Sequence, residues 1–369
     1  MMRDLVYVPS TCKIEDIETP ALIVDLDKLE RNIDRMARFS AESGVNIRPH
    51  AKTHKCPIIA HKQIDKGAIG ITCAKLSEAE VMASAGIKNI LIANQVVQRT
   101  KINRLASLVR LADVMVAVED PGNIEDLDAA ARAKGVTIPV VIEVDVGMNR
   151  CGSRSVEETL LLARKIAASP NLELRGLMGY EGHAVFIKDI EERRARCAEA
   201  NDLLVKHKEA LEDAGFEVSI VSAAGTGTYD LAGRNPGITE IEPGSYIFMD
   251  TRYGGIEGIN FEQSLFVLTT VISKKGPSEA ILDAGKKAVT EEFGLPRVAG
   301  APGWELTKLA EEHGFIKATQ PACELRVGDK VRLIPSHCCT TVNLHDMYYC
   351  CRGEFVEAVW DIAARGCVR

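Results

Sequence analysis

The densest group of potentially reactive side chains in this sequence is a basic peptide, Arg48-Pro49-His50-Ala51-Lys52-Thr53-His54-Lys55. It follows an apolar stretch, residues 45–47, that is typical of a β-strand, and a helical pattern follows it. Enzymes built on parallel barrels carry reactive side chains in such strand-to-helix loops. A lysine held neutral in such a loop can form a Schiff base with an aldehyde, so Lys52 is a candidate for covalent catalysis. A solvated basic loop is the alternative.

Two downstream segments have the composition of phosphate-binding loops. Gly225-Thr226-Gly227 follows a strand-like run directly, and Gly244-Ser245-Tyr246 ends a turn that could complete the same cradle. Small residues let backbone N–H groups close round a phosphate, and threonine hydroxyls add donors. Barrel enzymes often bind phosphate in the loops after strands seven and eight. For the first loop, an ordinary turn is the alternative.

Three single side chains also lie where predicted strands end. Arg150 could donate a hydrogen bond to a phenolate oxygen, or it could form a surface ion pair. Tyr180 has an apolar body and a polar tip, which suits the edge of a bound ring. His183 is either a general base or a histidine satisfied at the barrel rim.

The segment Pro335-Ser336-His337-Cys338-Cys339 could hold a metal. In an extended segment, His337 and Cys339 point the same way and present an imidazole and a thiolate together. Two protein ligands leave positions open for water and substrate, which suits a catalytic metal. A buried thiol beside an unrelated histidine is the alternative.

Composition limits the class of protein. The chain has 369 residues, 46% of them hydrophobic and 26% charged, as expected for one large domain and a smaller one. A formal net charge of -7 argues against nucleic acid or an anionic membrane as the main partner. No apolar run reaches the ~18 to 20 residues of a membrane span. The start of the chain lacks the apolar core of a signal peptide, so we predict a cytoplasmic protein.

Apolar runs alternate with helical patterns through residues 20–250, and this alternation predicts a (β/α)8 TIM-like barrel. A doubly wound sheet is the second choice, since no G-x-G-x-x-G motif follows the first run. Short strand patterns between turns predict a C-terminal mainly-β domain over residues 251–369, to which residues 1–19 are expected to contribute. The eight predicted barrel strands are residues 21–25, 45–49, 68–74, 89–94, 113–118, 140–146, 174–180 and 218–223.

Together these motifs resemble the fold-type III pyridoxal-phosphate enzymes, which combine an alanine racemase-like barrel with a β domain. More narrowly, the chain resembles the group of D-threonine aldolases, D-serine dehydratases and 3-hydroxy-D-aspartate dehydratases. The resemblance runs nearly end to end. Its most specific motifs are the basic peptide 48–55, the two glycine loops, Phe248-Met249-Asp250 and Pro335-Ser336-His337.

The resemblance implies the cofactors and several residue roles. It implies that Lys52 carries pyridoxal 5'-phosphate, that His50 lies beside the cofactor, and that Lys55 is a bystander. Arg150 is expected at the phenolate oxygen and Tyr180 near the ring nitrogen. A divalent metal (zinc, manganese or magnesium) is expected on His337 and the residue two places on. A homodimer is expected by analogy.

Two departures from the family pattern bear on the reaction. Aldolases of this group usually carry aspartate where this chain has Cys339, and a histidine six residues after the tyrosine, where it has Phe186. The His-x-Cys pattern instead resembles the dehydratases. We therefore predict dehydration of a β-hydroxy D-amino acid to a keto acid and ammonia, rather than cleavage to glycine and an aldehyde. A racemase and a pyridoxal-phosphate-binding protein without turnover are further alternatives.

Overall fold

Two β-sheets organise the protein, whose computed structural model describes residues 12–319 and 322–369. One sheet has eight strands and alternates with helices; the other has nine strands and carries few helices. Through residue 241 the elements are β1 (Ala21–Asp25), α1 (Leu26–Ser43), β2 (Asn46–Ile47), α2 (Pro57–Asp65), β3 (Ile71–Cys73), α3 (Leu76–Ser84), β4 (Asn89–Gln95), α4 (Arg99–Leu108), β5 (Asp113–Val118), α5 (Pro121–Lys134), β6 (Ile138–Glu143), α6 (Val156–Ala167), β7 (Leu172–Met178), α7 (Ile190–Asp213), β8 (Ile220–Ala223), α8 (Tyr229–Ala232) and β9 (Glu240–Ile241).

The eight-stranded sheet is parallel and closes on itself. Its strands lie in the order β2-β9-β8-β7-β6-β5-β4-β3. The two end strands meet through backbone hydrogen bonds from Ile69 to Ile47 and from Thr72 to Pro49, both 2.9 Å long. Strands followed by helices and closed in this way form a (β/α)8 barrel, so the predicted fold is confirmed.

Side-chain alternation along the strands separates the inside of the barrel from its helical jacket. Leu91, Met115 and Val141 belong to one small apolar cluster, whereas Ile90 and Ile92 belong to the large core shared with the helices. Successive residues of a strand point to opposite faces, so the interior is filled and the outer face binds the helices. Reactive groups must therefore lie at the strand ends.

The second sheet holds the C-terminal domain. Its elements are β10 (Leu265–Lys274), β11 (Glu279–Leu282), β12 (Arg297–Ala299), β13 (Trp304–Leu309), β14 (Gly314–Ala318), β15 (Lys330–Ile334), α9 (Cys338–Val342), β16 (Met347–Arg352) and β17 (Phe355–Asp361). Nearly all its strand pairs are antiparallel. The prediction of a mainly-β second domain is confirmed.

One predicted barrel strand was wrong. The run 21–25 is β1, which pairs antiparallel with β10 and parallel with β16 in the second sheet. The missing barrel strand is β9, which has only two residues and pairs with β2 and β8. A strand that short, with a glutamate in it, shows no hydrophobic periodicity, whereas β1 resembles a buried strand of either sheet.

The first described residues run along the second sheet. Backbone hydrogen bonds join Val356 to Cys12 and Ile14 to Glu354, each 2.9 Å long. Residues 1–11 of the predicted N-terminal contribution lie outside the described residues. The domain boundary at residue 250 stays a prediction. Within the described ranges, no helix has both the length and the apolarity that crossing a membrane requires.

A buried ion pair fixes the closing strands. The Nε and Nη2 groups of Arg48 donate to the two carboxylate oxygens of Glu240, at 2.9 Å each, and both side chains are 2% exposed. Arg48 also donates to Asn89 at 2.5 Å, so it joins the ends of β2 and β9 to the start of β4. Because Arg48 immediately precedes the basic loop, this pair sets where that loop begins.

We expect Arg48→Met to lower the free energy of unfolding by about 3 to 5 kcal/mol, because it leaves a buried carboxylate unpaired. Replacing both partners, as Arg48→Met with Glu240→Leu, should cost less than the single change. Urea denaturation followed by circular dichroism measures both. The control is Arg104→Met, which removes an exposed ion pair to Glu80 and should shift the midpoint little. Equal losses for the single and double variants would contradict the argument.

Candidate active site

A cavity opens at the carboxyl ends of the barrel strands. In the described chain, seven of the eight barrel strands, all but β5, contribute residues from their ends or the loops after them. The lining includes Lys52, Gln95, Tyr180, Thr226 and Glu242. Parallel barrels bring these ends to one face, which is why residues distant in sequence meet here.

The loop after β2 separates its two lysines. Lys52 lines the cavity, with its Nζ 5.9 Å from the centre of the Tyr180 ring. Lys55, at φ 52°, turns the other way and pairs with the buried carboxylate of Glu78. The second domain holds the same loop through a 2.7 Å hydrogen bond from the Tyr348 hydroxyl to the His54 carbonyl. Of these two lysines, Lys52 is therefore the one that lines the cavity, and its role as cofactor lysine stays a prediction.

His50 lines the cavity as a buried imidazole. Burial, and the positive charge of Lys52, hold the pKa of His50 well below its usual value, so the ring is neutral. Its Nδ1 accepts a 3.4 Å hydrogen bond from the backbone N–H of Lys52. This contact positions the lysine backbone.

The Tyr180 ring is wedged between two glycines. A Cβ added at Gly225 would lie 3.1 Å from the ring, and one added at Gly182 would overlap it. The Arg150 guanidinium lies 5.9 Å from the ring centre, and Arg150 is 3.8 Å from the buried carboxylate of Glu143. The two glycines are thus required by the close approach of the ring, and Tyr180 lies between two cations.

The loop after β8 and the turn after β9 leave backbone donors free. Within the described ranges, the N–H groups of Thr226, Gly227 and Ser245 have no acceptor, although all three residues are buried. We call the pocket around these three N–H groups the cup. Gly244 packs closely beside it, because a Cβ there would lie 2.6 Å from the Thr53 hydroxyl. Buried N–H groups are rarely left unpaired, so this cup fits a phosphate.

The buried carboxylate of Glu181 holds the loop that forms this cup. Glu181 is fully buried; one oxygen accepts the Ala224 N–H at 3.1 Å and the other accepts the Thr228 hydroxyl at 2.5 Å. Thr228 in turn accepts the Gly225 N–H at 3.2 Å. Burial raises the pKa of Glu181, and these hydrogen bonds oppose the rise. Glu181 therefore binds the start of the loop and leaves the N–H groups of the next two residues, Thr226 and Gly227, without an acceptor among the described residues.

Two predicted cofactor residues act through the backbone or packing. The Tyr246 N–H donates to the Thr226 hydroxyl at 3.0 Å, while its own hydroxyl accepts from Gln63, away from the cavity. Gly227 does not line the cavity, and a Cβ there would overlap the carbonyl oxygen of Val185. Both residues fix the shape of the cup.

Glu242 and Tyr253 line the cavity and were not among the predicted site residues. One oxygen of Glu242 accepts a 2.7 Å hydrogen bond from the Ser222 hydroxyl. Burial raises the pKa of Glu242 to about 7, against the effect of that hydrogen bond. Its position beside Pro243-Gly244 could have flagged it, because the residue that ends each barrel strand faces the site.

His337 and Cys339 meet beside the cavity. Each affects the charge of the other, and the Cys339 sulfur lies 3.2 Å from the hydroxyl of Thr53, a lining residue. The expected extended geometry was wrong: His337 is extended, but Cys339 lies in the short helix α9. The imidazole of His337 and the thiol of Cys339 lie close together because helix α9 starts immediately after His337.

Charge links this pair. Burial opposes ionisation of both groups, but their mutual attraction raises the pKa of His337 to about 9 and lowers that of Cys339. Lys52 adds to the lowering at Cys339. The Nδ1 of His337 also hydrogen-bonds to Glu292 at 2.7 Å, which leaves Nε2 available to a metal. An imidazole and a thiolate in this arrangement suit a borderline divalent metal.

The predicted base His183 is exposed and does not line the cavity; its ring lies over Gly147. Phe186 packs 4.8 Å from the Tyr253 ring and 5.4 Å from the Phe293 ring. A role for His183 as base stays a prediction that this geometry does not support.

Two families match the chain, one for each sheet. The alanine racemase N-terminal domain family matches residues 24–252, and a putative serine dehydratase domain matches residues 264–351. The chain belongs to the alanine racemase N-terminal domain family. That family has the fold-type III barrel, so the fold and the resemblance predicted from the motifs are confirmed.

Members close to this chain are known. A 3-hydroxy-D-aspartate aldolase of Paracoccus denitrificans is 39% identical over 361 residues, which cover 95% of this chain and 93% of that one. The crystal structure of a D-threonine aldolase from Filomicrobium marinum superposes with a TM-score of 0.95 at 39% identity, covering 98% and 100% of the two chains.

A dehydratase is also similar. The D-threo-3-hydroxyaspartate dehydratase of Delftia sp. HT23 has a TM-score of 0.88 at 29% identity, covering 95% of this chain and 98% of that one. Its solved variants include a cysteine-to-alanine change in a metal-free form and a histidine-to-alanine change two positions earlier. His337 and Cys339 have the same order and spacing.

We expect Glu181→Gln to weaken pyridoxal-phosphate binding by about ten-fold, because an amide cannot accept at both of its ends and the cup loses one hydrogen bond. The change can be measured by titrating the apoprotein with pyridoxal phosphate. Borohydride reduction then fixes the bound cofactor to the protein so that it can be counted. Exposed Glu42→Gln is the control. Unchanged affinity in a folded Glu181→Gln protein would show that the carboxylate does not shape the cup.

Proposed function

We propose that this protein is a pyridoxal-phosphate- and divalent-metal-dependent lyase that removes water from a β-hydroxy D-amino acid and yields a keto acid and ammonia. The observation that carries the proposal is the His337–Cys339 pair beside Thr53 and Lys52. The proposal includes the cytoplasmic location and the homodimer expected from the sequence.

The cavity fits the cofactor part by part. Lys52 would hold its aldehyde carbon, and the free N–H groups of Thr226, Gly227 and Ser245 would hold its phosphate. Arg150, whose guanidinium lies over the Tyr180 ring, would donate to the phenolate oxygen. When bound, pyridoxal phosphate supplies an electron sink for a bond broken at Cα.

Glu242 is the group suited to the ring nitrogen, which the sequence had assigned to Tyr180. Its carboxylate lies on the cavity wall with one oxygen outside the Ser222 hydrogen bond. A carboxylate stabilises a protonated pyridine nitrogen, whereas a tyrosine hydroxyl does so less well. Burial raises the pKa of Tyr180 too, so that hydroxyl stays neutral.

His337 and Cys339 would hold the metal, with Glu292 orienting the imidazole. Zinc or another borderline metal suits this donor pair. When bound, the metal acts as a Lewis acid on the β-hydroxyl and makes it a better leaving group. The pair lies on the Lys52 side of the cavity, since Lys52 and Thr53 are adjacent and Thr53 contacts Cys339.

Proton transfer favours dehydration. Lys52 is the basic group closest to the reacting carbon in this arrangement, and its free amine can remove the Cα proton. Cleavage to glycine requires a base at the β-hydroxyl; Phe186 cannot accept a proton, and His183 is outside the cavity lining. Cysteine in place of aspartate also matches the spacing in the Delftia dehydratase.

An aldolase is the second candidate, and a specific observation favours it. The Paracoccus 3-hydroxy-D-aspartate aldolase and the Filomicrobium D-threonine aldolase, each 39% identical, resemble this chain more than the dehydratase does. Both reactions need the same cofactor contacts and the same metal. They differ in whether the Cα–H or the Cα–Cβ bond is broken.

Removing the metal should stop turnover and leave the cofactor in place. We expect Cys339→Ala to lower the bound divalent metal at least about ten-fold, measured by atomic emission, while the cofactor absorbance persists. The neighbouring thiol provides the control: Cys338 donates to the Met249 carbonyl at 3.2 Å, and Cys338→Ala should keep the metal. Full activity after thorough chelation would remove the metal from the mechanism.

The product ratio decides between the two reactions. With D-threonine, we expect 2-oxobutanoate and ammonia to exceed glycine and acetaldehyde, and Cys339→Asp to shift the ratio toward glycine. Both products can be quantified from one reaction by chromatography and an ammonia assay. Glycine as the main product of the unaltered enzyme would establish the aldolase instead.

A further inference from the structure

Arg252 has a guanidinium without an acidic partner. Among residues 12–319 and 322–369 it forms no side-chain hydrogen bond and no ion pair, although arginines elsewhere on the surface pair with carboxylates. Its described contacts are with two aromatic rings: the Cζ atom lies 4.8 Å from the centre of Phe186 and 5.5 Å from that of Phe293. The residue is exposed.

These rings place the cation next to the metal pair. The Phe293 ring lies 4.9 Å from the His337 ring, and the Phe186 ring lies 4.8 Å from the ring of Tyr253, which lines the cavity. The Phe293 ring therefore contacts both Arg252 and His337, and Arg252 immediately precedes Tyr253 of the cavity wall. Stacking on aromatic faces restricts the guanidinium and leaves its N–H edges for a ligand.

The backbone fixes this arrangement. Asp250 is fully buried, and its carboxylate accepts the N–H groups of Tyr253 at 2.9 Å and Cys338 at 3.1 Å. The same carboxylate thus holds both the turn that carries Arg252 and the first residue of the helix that carries Cys339. Because both segments share one anchor, Arg252 and the metal pair keep their separation.

We propose that Arg252 is a specificity-determining residue that receives a carboxylate on the β-carbon of the substrate. The inference rests on the proposed function. A metal on His337 and Cys339 that binds the β-hydroxyl brings the other β-substituent to the same side of the cavity. In 3-hydroxy-D-aspartate that substituent is a carboxylate, which a planar guanidinium binds in bidentate fashion.

This inference assigns Phe186 a different role from the base that an aldolase would have there. Its ring supports the cation, so the position contributes to substrate choice and not to proton transfer. D-threonine and D-serine, with a methyl group or hydrogen at the β-carbon, leave the guanidinium without a ligand. The enzyme should therefore prefer 3-hydroxy-D-aspartate to either.

The test compares substrates within each variant of the holoenzyme. For Arg252→Met we expect the ratio of kcat/KM for D-threo-3-hydroxyaspartate to kcat/KM for D-threonine to fall at least ten-fold, mainly through KM. Arg252→Lys keeps the charge without the planar fork and should give an intermediate ratio. Arg234→Met is the matched control, since Arg234 also stacks on an aromatic ring, Phe39 at 5.4 Å, but that ring belongs to helix α1 of the barrel.

Binding without turnover gives a second measurement. D-aspartate has the carboxylate but no hydroxyl to eliminate, and D-alanine has neither; both change the cofactor absorbance when they bind. We expect Arg252→Met to weaken D-aspartate at least ten-fold more than D-alanine. Equal weakening of both, or no weakening in a folded variant, would overturn the inference.

The outcomes separate this inference from the proposed function. If the unaltered enzyme converts β-hydroxy D-amino acids but Arg252→Met leaves both ratios unchanged, only the role of Arg252 fails. If the unaltered enzyme converts none of these substrates to keto acid or to glycine, the proposed function fails first. The test applies equally to the dehydratase and the aldolase, because both place the β-carbon at the metal.

Discussion

The buried carboxylate of Asp250 is the contact on which the site depends. It lies where the barrel ends, and it accepts N–H groups from its own turn and from the start of helix α9 in the second domain. The adjacent Thr251 N–H also donates a 3.0 Å backbone hydrogen bond to the carbonyl of Pro335 in the second domain. Burial raises the pKa of Asp250, and the N–H donors oppose that rise. Together with the contacts of Thr53 with Cys339 and of Tyr348 with His54, this junction aligns the barrel loops with the segment that carries His337 and Cys339.

Buried acids also set the geometry inside the barrel. Glu240 fixes the start of the lysine loop through Arg48, and Glu181 folds the phosphate loop by accepting two donors. Glu242, on the same side of β9 as Glu240, faces the cavity with a pKa raised to about 7 by burial. A carboxylate buried in a barrel is costly unless donors surround it. Here N–H and hydroxyl groups of the loops are among the donors. The loops must therefore keep a conformation in which these groups reach the buried carboxylates.

The choice of reaction rests on a smaller set of atoms than the fold does. Dehydration and aldol cleavage share the lysine, the phosphate cup and the metal pair, so similarity over the whole chain does not distinguish them. The sulfur at Cys339 and the ring at Phe186 are the local differences. Cys339 belongs to the second domain and Phe186 to the loop after β7, where its ring packs against Tyr253 of the turn 250–253 and against Phe293 of the second domain. In the proposed function, substrate choice and bond choice would therefore depend on residues near the junction of the two domains.

The sequence by itself determined the barrel and the second domain, and it indicated the lysine loop and the two glycine loops, because periodicity and short motifs are local in the chain. It misplaced β1, since a buried strand of either sheet has the same pattern, and it missed the two-residue strand β9. It also missed Glu242, Tyr253, Glu292 and Arg252. Two of these residues have partners more than forty residues away: Glu292 hydrogen-bonds to His337, and Arg252 contacts Phe186. Such contacts follow from how the two sheets dock, which only the tertiary structure decides.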